Sequence, residues 1–151
     1  MIIGPTLTTA RLILRPPSNA DFPALARMLN GFSVFSVLER ESGRWIGRIG
    51  PWRPEGWPSG EVAWTLVREA WGKGYATEAA TAALDFVFET LGWPDVIHAI
   101  VRANIASIRL AERVGSRHIG PVELPPPFEN MGGHAWGQTR EEWRSRRRAT
   151  P

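Results

Sequence analysis

Residues 61 to 101 confine this chain to very few folds. Glu61-Val62-Ala63-Trp64-Thr65-Leu66-Val67 reads as a strand, Gly72-Lys73-Gly74 as a glycine-spaced turn, and Tyr75-Ala76-Thr77-Glu78-Ala79-Ala80 opens a helix. The apolar set Ala76, Ala79, Ala80, Ala83, Leu84, Val87, Phe88 and Leu91 recurs at i, i+3, i+4 and i+7, and Gly92 and Pro94 close the helix. Val96-Ile97-His98-Ala99-Ile100-Val101 follows as a continuous β-prone run, the pattern of a strand buried on both faces. Strand, helix and strand in that order form a crossover unit, which places the two strands in one sheet with parallel character. The turn also carries chemistry. It leaves backbone N–H groups at the positive end of a helix, and its glycines accept backbone conformations and ligand approaches that a side chain would block. A phosphate-bearing cofactor is the first expectation.

The rest of the chain adds strands and helices on either side. Arg11-Leu12-Ile13-Leu14-Arg15 is a short strand stopped by Pro16-Pro17, and Ser18 with Asp21 caps a helix carrying Phe22, Leu25, Ala26 and Leu29. Asn30-Gly31 ends that helix, and Phe32 to Arg40 turns through Glu41-Ser42-Gly43 into a strand over 44–50. A Pro/Gly/Trp-rich loop covers 51–60. Asn104 caps a helix running through Val114, with Gly115 as its C-cap. Arg117 to Pro121 is a short strand, Pro125-Pro126-Pro127 a loop, and His134 to Gln138 an edge strand. Thr139-Arg140-Glu141-Glu142 is a capping box that opens a last helix. The expectation is an α/β fold with a mixed sheet, in one domain spanning 1–151.

Composition removes several classes of function. The chain has 151 residues, 43% hydrophobic and 22% charged, with no cysteine, so disulfides, thiolate metal sites and a cysteine nucleophile are excluded. No run approaches the length of a membrane span, and the N-terminus lacks the pattern of a signal peptide, so a cytoplasmic protein without membrane partners is expected. The pI near 10.5 invites a nucleic-acid partner. However, residues 139–151 hold five arginines against two glutamates, a balance equal to the formal net charge of +3 for the whole chain. That is a basic terminal helix or tail, solvated and frayed, rather than a stripe across a folded face, and it argues against nucleic acid. Lys73, the only lysine beside seventeen arginines, sits inside the glycine turn. His118 and His134 have no carboxylate at metal-ligand spacing, so no metal is expected.

A second passage makes the turn specific. Trp71-Gly72-Lys73-Gly74-Tyr75-Ala76-Thr77-Glu78-Ala79 is joined, one strand later, by Asn104, Ser107, Leu110 and Gly115 in an Asn-x-x-Ser-x-x-Leu-x-x-x-x-Gly spacing. Together these resemble the GNAT superfamily of acyl-CoA-dependent N-acyltransferases, most nearly the branch that includes ribosomal-protein-alanine acetyltransferases. The resemblance covers Leu12 to Val114 in element order. It implies a mostly antiparallel central sheet of about six to seven strands flanked by helices, with a V-shaped splay between strands 61–67 and 96–101. Acetyl-CoA would lie in that splay, with its pantetheine arm against backbone groups of Thr65, Leu66 and Val67. Its diphosphate would rest on the N–H groups of Gly72, Lys73, Gly74, Tyr75, Ala76 and Thr77. The family pattern has Gln or Arg three residues before the first glycine, where this chain has Glu69, so Glu69 is not expected to touch the cofactor.

The resemblance also implies roles for individual groups. Glu61 matches the strand position where several branches carry a general-base glutamate. From Glu61 to Thr65 the strand rises about 13 Å, so the base would act through water. A strand-end acid paired with an arginine is the structural alternative for Glu61. The family's usual tyrosine acid has its place at Ala111, and Ser107 is the substitute, hydrogen-bonding the departing thiolate. Asn104 would serve the helix N-terminus and the pantetheine amides, or the helix alone. His98 is expected to line the core or the wedge rather than to act in catalysis. Trp52, Trp57, Trp64 and Trp71 either wall the acceptor side or pack. Relatives place a longer stretch between the first helix and the strand near Phe32, so this chain is either shortened with an open acceptor side or lacks a segment. The reading is an acetyl-CoA-dependent N-acetyltransferase acting on a primary amine, a protein N-terminus or a small molecule, by direct transfer in a ternary complex. The alternative is a non-catalytic acyl-CoA-binding module. A homodimer is allowed by the sequence.

Overall fold

The computed structural model describes residues 5–21 and 34–149. The expected first helix over Phe22 to Leu29, its Asn30-Gly31 stop and the short connection to Phe32 lie outside the described residues. The strands are β1 (Leu7–Thr8), β2 (Leu12–Arg15), β3 (Phe35–Glu39), β4 (Trp45–Trp52), β5 (Glu61–Leu66), β6 (Asp95–Val101), β7 (Arg117–Pro121) and β8 (Gly133–Thr139). The helices are α1 (Tyr75–Asp85), α2 (Ile105–Arg113) and α3 (Arg140–Ala149). The hydrogen-bonded order is β1-β2-β3-β4-β5-β6-β8-β7, an eight-stranded mixed sheet with one strand more than the sequence expectation. β5 and β6 pair parallel, as the crossover pattern requires, and the other described ladders are antiparallel.

The chain divides into two compact units, and the division falls inside β5 and at the end of α1. The first comprises the described parts of Met1–Trp52 with Ala63–Leu84. Its core is Leu12, Leu14, Val37, Ile46 and Ile49 from the strands and Ala79, Ala80, Ala83 and Leu84 from α1, all buried. The strict alternation of buried Leu12 and Leu14 with half-buried Ile13 and Arg15 follows from the two-residue period of a strand. Asp21 is buried here and holds the chain entry: it accepts from both Arg15 terminal nitrogens at 2.6 and 2.7 Å, from Ser18 N–H at 2.8 Å and from Ser36 Oγ at 3.0 Å. Ser18 N–H bonded to Asp21 is one half of the capping pattern, and the helix it is expected to open lies outside the described residues.

The second unit comprises Arg53–Val62 with Asp85–Pro151, described through Ala149. Its core is Val62, Val87, Phe88, Val96, Ile100, Leu110, Ala111, Trp136 and Trp143. After Asp85 the helix widens into a π-helical turn over Phe86–Thr90. Phe86, Val87 and Phe88 are all buried, and three consecutive buried side chains exceed what one α-helical stripe presents. The capping box at α3 forms as read: Thr139 N–H donates to Glu142 Oε2 at 2.8 Å and Glu142 N–H to Thr139 Oγ1 at 3.2 Å.

Two expectations change. The strand through His134 to Gln138 is not an edge, because β8 lies between β6 and β7 and leaves β7 outermost. Gly137 permits the close approach to β6, since a Cβ there would stand only 2.5 Å from the Val96 carbonyl oxygen. The basic terminal segment is a docked helix rather than a solvated tail. Trp143 is buried with its ring 5.4 Å from that of Phe88, Arg144 pairs with Glu89 at 2.9 Å, and Arg147 pairs with Asp85 at 3.0 Å.

Candidate functional site

In the first unit the turn has the backbone that its glycines imply. Gly72 and Gly74 have φ of +72° and +78°, a region costly for any residue with a Cβ. A Cβ on Gly72 would meet nothing within 4 Å, so the space over the turn is open. The first backbone bond across the start of α1 runs from Glu78 N–H to Gly74 C=O at 3.1 Å, which leaves the N–H groups of Tyr75 and Ala76 ahead of the helical ladder. Glu69 is exposed.

An arginine lines this turn that the local sequence did not reveal. Arg11 donates from Nε to Glu78 Oε2 at 2.7 Å and from Nη1 to the Lys73 carbonyl at 3.0 Å. Its Nη2 stands 3.3 Å from where a Gly74 Cβ would be, and its guanidinium lies 4.8 Å from the Tyr75 ring centre. Glu78 also accepts from Thr9 Oγ1 at 2.6 Å and from Arg11 N–H at 2.9 Å, so it faces the β1–β2 connection. The turn therefore offers a helix start and a guanidinium, a donor set that fits a diphosphate. Upstream, Val67 N–H donates to the Ile46 carbonyl at 2.9 Å, and the Leu66 carbonyl accepts from Trp71 Nε1 at 3.1 Å. Backbone groups of Leu66 and Val67, both expected along the pantetheine arm, are thus bonded within the chain.

In the second unit Glu61 is buried at 6% exposure. Among the described residues no arginine pairs with it. Trp57 Nε1 donates to Oε2 at 2.7 Å and Ala99 N–H donates to Oε1 at 3.0 Å. Burial pushes the carboxyl up to about 7, against the pull of the Ala99 and Trp57 bonds that favour its charged form. The Trp57 ring is itself held edge-on to Phe128, with centroids 5.5 Å apart. Trp57 thus serves both aromatic packing and the carboxylate, which a count of tryptophans cannot reveal.

Asn104 caps α2 as read, with its Oδ1 accepting Ser107 N–H at 3.2 Å. Ser107 is half-buried one turn into the helix, and Ala111, where the family's tyrosine would stand, is fully buried. His98 is buried at 1% exposure, its Nδ1 2.7 Å from the Val62 carbonyl and its Nε2 3.0 Å from Ser116 Oγ. Burial brings its pKa down to about 4, so the ring is neutral near pH 7. His118 Nε2 and His134 Nδ1 lie 2.9 Å apart on the surface, and no cluster of three metal-ligating side chains occurs among the described residues. No helix there is long and apolar enough to cross a membrane.

The model of the acetyltransferase (GNAT) domain matches residues 28–117. The chain is 33% identical over 90 residues to the uncharacterized protein YkkB of Bacillus subtilis, a match covering 58% of this chain and 52% of that one. It is 35% identical over 87 residues to the FsC-acetyl coenzyme A-N(2)-transacetylase of Aspergillus fumigatus, covering 55% and 37% respectively. The match spans about half or less of the length of these two relatives. The solved acetyltransferase of Agrobacterium tumefaciens superposes with a TM-score of 0.77 at 27% identity, covering 91% of this chain and 96% of that one. With its mixed sheet, glycine turn and Asn-capped helix, the chain belongs to the GNAT acetyltransferase family.

Proposed function

We propose that this acetyltransferase moves the acetyl group of acetyl-CoA to a primary amine by direct transfer in a ternary complex, with Glu61 as the proton acceptor. The observation that carries the reading is the state of Glu61: a buried carboxylate held by two neutral N–H donors and pushed up to about 7. Among the described residues it lacks the arginine partner that the structural alternative requires. A carboxyl that titrates near neutrality is matched to taking a proton from an ammonium through water.

The amine nitrogen attacks the thioester carbon, a C–N bond forms and the C–S bond breaks as the CoA thiolate departs. The proton lost by the ammonium passes through water to Glu61 and from there to bulk solvent. Ser107 would hydrogen-bond the departing thiolate, because Ala111 supplies no acid. On the donor side the diphosphate of acetyl-CoA is assigned to the turn from Gly72 to Thr77, with Lys73 beside it and with Arg11 as an additional cation. Thr65, Leu66 and Val67 remain the proposed backbone partners of the pantetheine arm, and Asn104 orients the start of α2. An aminoacyl N-terminus or a small amine is the acceptor class.

The test is acetyl transfer from acetyl-CoA to three probes: a peptide with a free N-terminus, a polyamine and an amino-acid amide. Turnover on at least one probe is expected, with an acidic limb near pH 7 that Glu61→Gln removes. An unaltered pH profile in the variant would refute the role of Glu61.

A further inference from the structure

The parallel ladder between β5 and β6 breaks one rung after it begins. Ile97 N–H reaches the Gly60 carbonyl at 2.9 Å. In a regular parallel pair the next N–H on that edge, from Ala99, would reach the Val62 carbonyl. The register instead stops at Glu61 opposite Ile97, and each of these groups has a side-chain partner. Ala99 N–H lies 3.0 Å from Glu61 Oε1, and the Val62 carbonyl lies 2.7 Å from His98 Nδ1. Two side chains replace one backbone hydrogen bond. Both main-chain groups keep a partner, as buried groups must, although the strands no longer bond to each other there.

The imidazole is also held from behind. Gln138 Nε2 donates to the Val114 carbonyl at 2.9 Å and to Ser116 Oγ at 3.0 Å, while Gln138 Oε1 accepts from Arg146 Nη1 at 3.1 Å. Ser116 Oγ also lies 3.0 Å from His98 Nε2, and its hydroxyl is able either to donate to that nitrogen or to accept from it. The other ring nitrogen carries the hydrogen, because the Val62 carbonyl, which can only accept, receives it. The Val62 carbonyl fixes the tautomer, and Ser116 meets it by donating to Nε2.

We propose that His98 is a positioning residue for Glu61: by holding the Val62 carbonyl in place of Ala99, it frees the Ala99 N–H to hold the catalytic carboxylate. The proposal rests on the reading of Glu61 as proton acceptor. Without a donor at residue 98, the Val62 carbonyl recruits the Ala99 N–H, and Glu61 loses one of two hydrogen bonds that favour its charged form. The groups acting on Glu61 are Trp57 from the preceding loop and Ala99 from β6, with no charged side chain among them. On the same elements, Asp95 is bonded to Ser59 at 2.6 Å, and Arg146 lies at the far end of the chain behind Gln138.

Three substitutions separate this role from packing. His98→Asn keeps an amide donor at the place of Nδ1, His98→Gln moves the donor to the place of Nε2, and His98→Leu removes it. The readout is the titration of the Glu61 side-chain carbon by 13C NMR, assigned from the spectrum of Glu61→Gln. The midpoint stays near 7 in His98→Asn and rises by about one pH unit in the Gln and Leu variants, the effect of losing one hydrogen bond to a charged group. The acidic limb of acetyl transfer moves with it. In the native protein the Ala99 amide nitrogen titrates at the Glu61 midpoint, a measurement that needs no variant. An Ala99 amide insensitive to that titration, an unmoved midpoint in His98→Gln, or an equal shift in His98→Asn would overturn the proposal. If the carboxyl midpoint moves and the activity limb does not, the positioning holds and the base assignment fails.

Discussion

Replacing Glu61 by glutamine should change how the stability of this protein depends on pH, and the size of the change follows from its burial. The carboxyl is raised from its ordinary value near 4.5 to about 7. A raised carboxyl pKa means that the folded state binds the proton more tightly than the unfolded state. Its stabilising contribution is therefore complete below pH 4.5 and is lost as pH rises to 7. A rise of roughly 2.5 in pKa corresponds to about 3 kcal/mol across that window. Glutamine removes the titration but introduces a fixed cost. Its single oxygen can accept from Trp57 or Ala99 but not equally from both, and a buried N–H left without an acceptor costs about 1–3 kcal/mol at every pH. The assay is urea unfolding of both proteins at half-unit steps from pH 4.5 to 7.5. Differences between the two cancel the titration of groups unaffected by the change, such as Asp21 and Glu78. The variant should gain about 3 kcal/mol relative to the native protein between the ends of the series. A flat difference, or one that slopes the other way, would refute the account of Glu61 as an uncompensated buried carboxyl.

Gly74→Glu should abolish CoA binding, because it places a charged side chain beside Arg11 at a φ of +78°; the loss of any thermal stabilisation by excess CoA checks this. Asp21→Asn should destabilise by several kcal/mol, since Arg15 keeps its charge but loses its buried partner. Asp21 is pulled up by burial and held below the usual carboxylate range overall by Arg15, Ser18 and Ser36, so its contribution is lost as pH falls; acid unfolding of the variant should lack that component. Trp143→Ala should cost about 3–5 kcal/mol in urea unfolding, whereas Arg144→Ala, which breaks an exposed pair, should cost less than about 1 kcal/mol.

The parts of the fold written in local pattern were legible. The 61–101 crossover, the hairpin after Glu39, the Asn104 cap and the Thr139–Glu142 box each depend on residues a few positions apart, and all appear where the pattern puts them. What escaped depends on pairs distant in sequence. Arg11 meets Glu78 across 67 positions, and Gln138 meets Val114 across 24, with no periodicity that would announce either. The misplaced edge strand has the same origin. The local sequence marks 134–138 as a strand, but the register and the contacts of Gly137 with β6 show which neighbours it takes. At Glu61 the residue could be named from its match to a family position, while the donors that hold it could not. One is a loop tryptophan that had been grouped with three others, and the second is a main-chain N–H, invisible to any reading of side chains.

The docking of α3 bears on how this protein should be handled at the bench. An arginine-rich C-terminal stretch is an obvious candidate for trimming, to suppress carry-over of nucleic acid during purification. Here the stretch includes Trp143 in the core and Arg146, which bonds Gln138 and rests against Gly115 so closely that a methyl group there would collide with it. A shortened protein would lose the outermost link of the hydrogen-bond chain that ends on the Val62 carbonyl. Its kinetic defects would mimic those of a substitution near Glu61, and a deletion series would assign to the tail an effect that arises in the hydrogen-bond chain behind Val62.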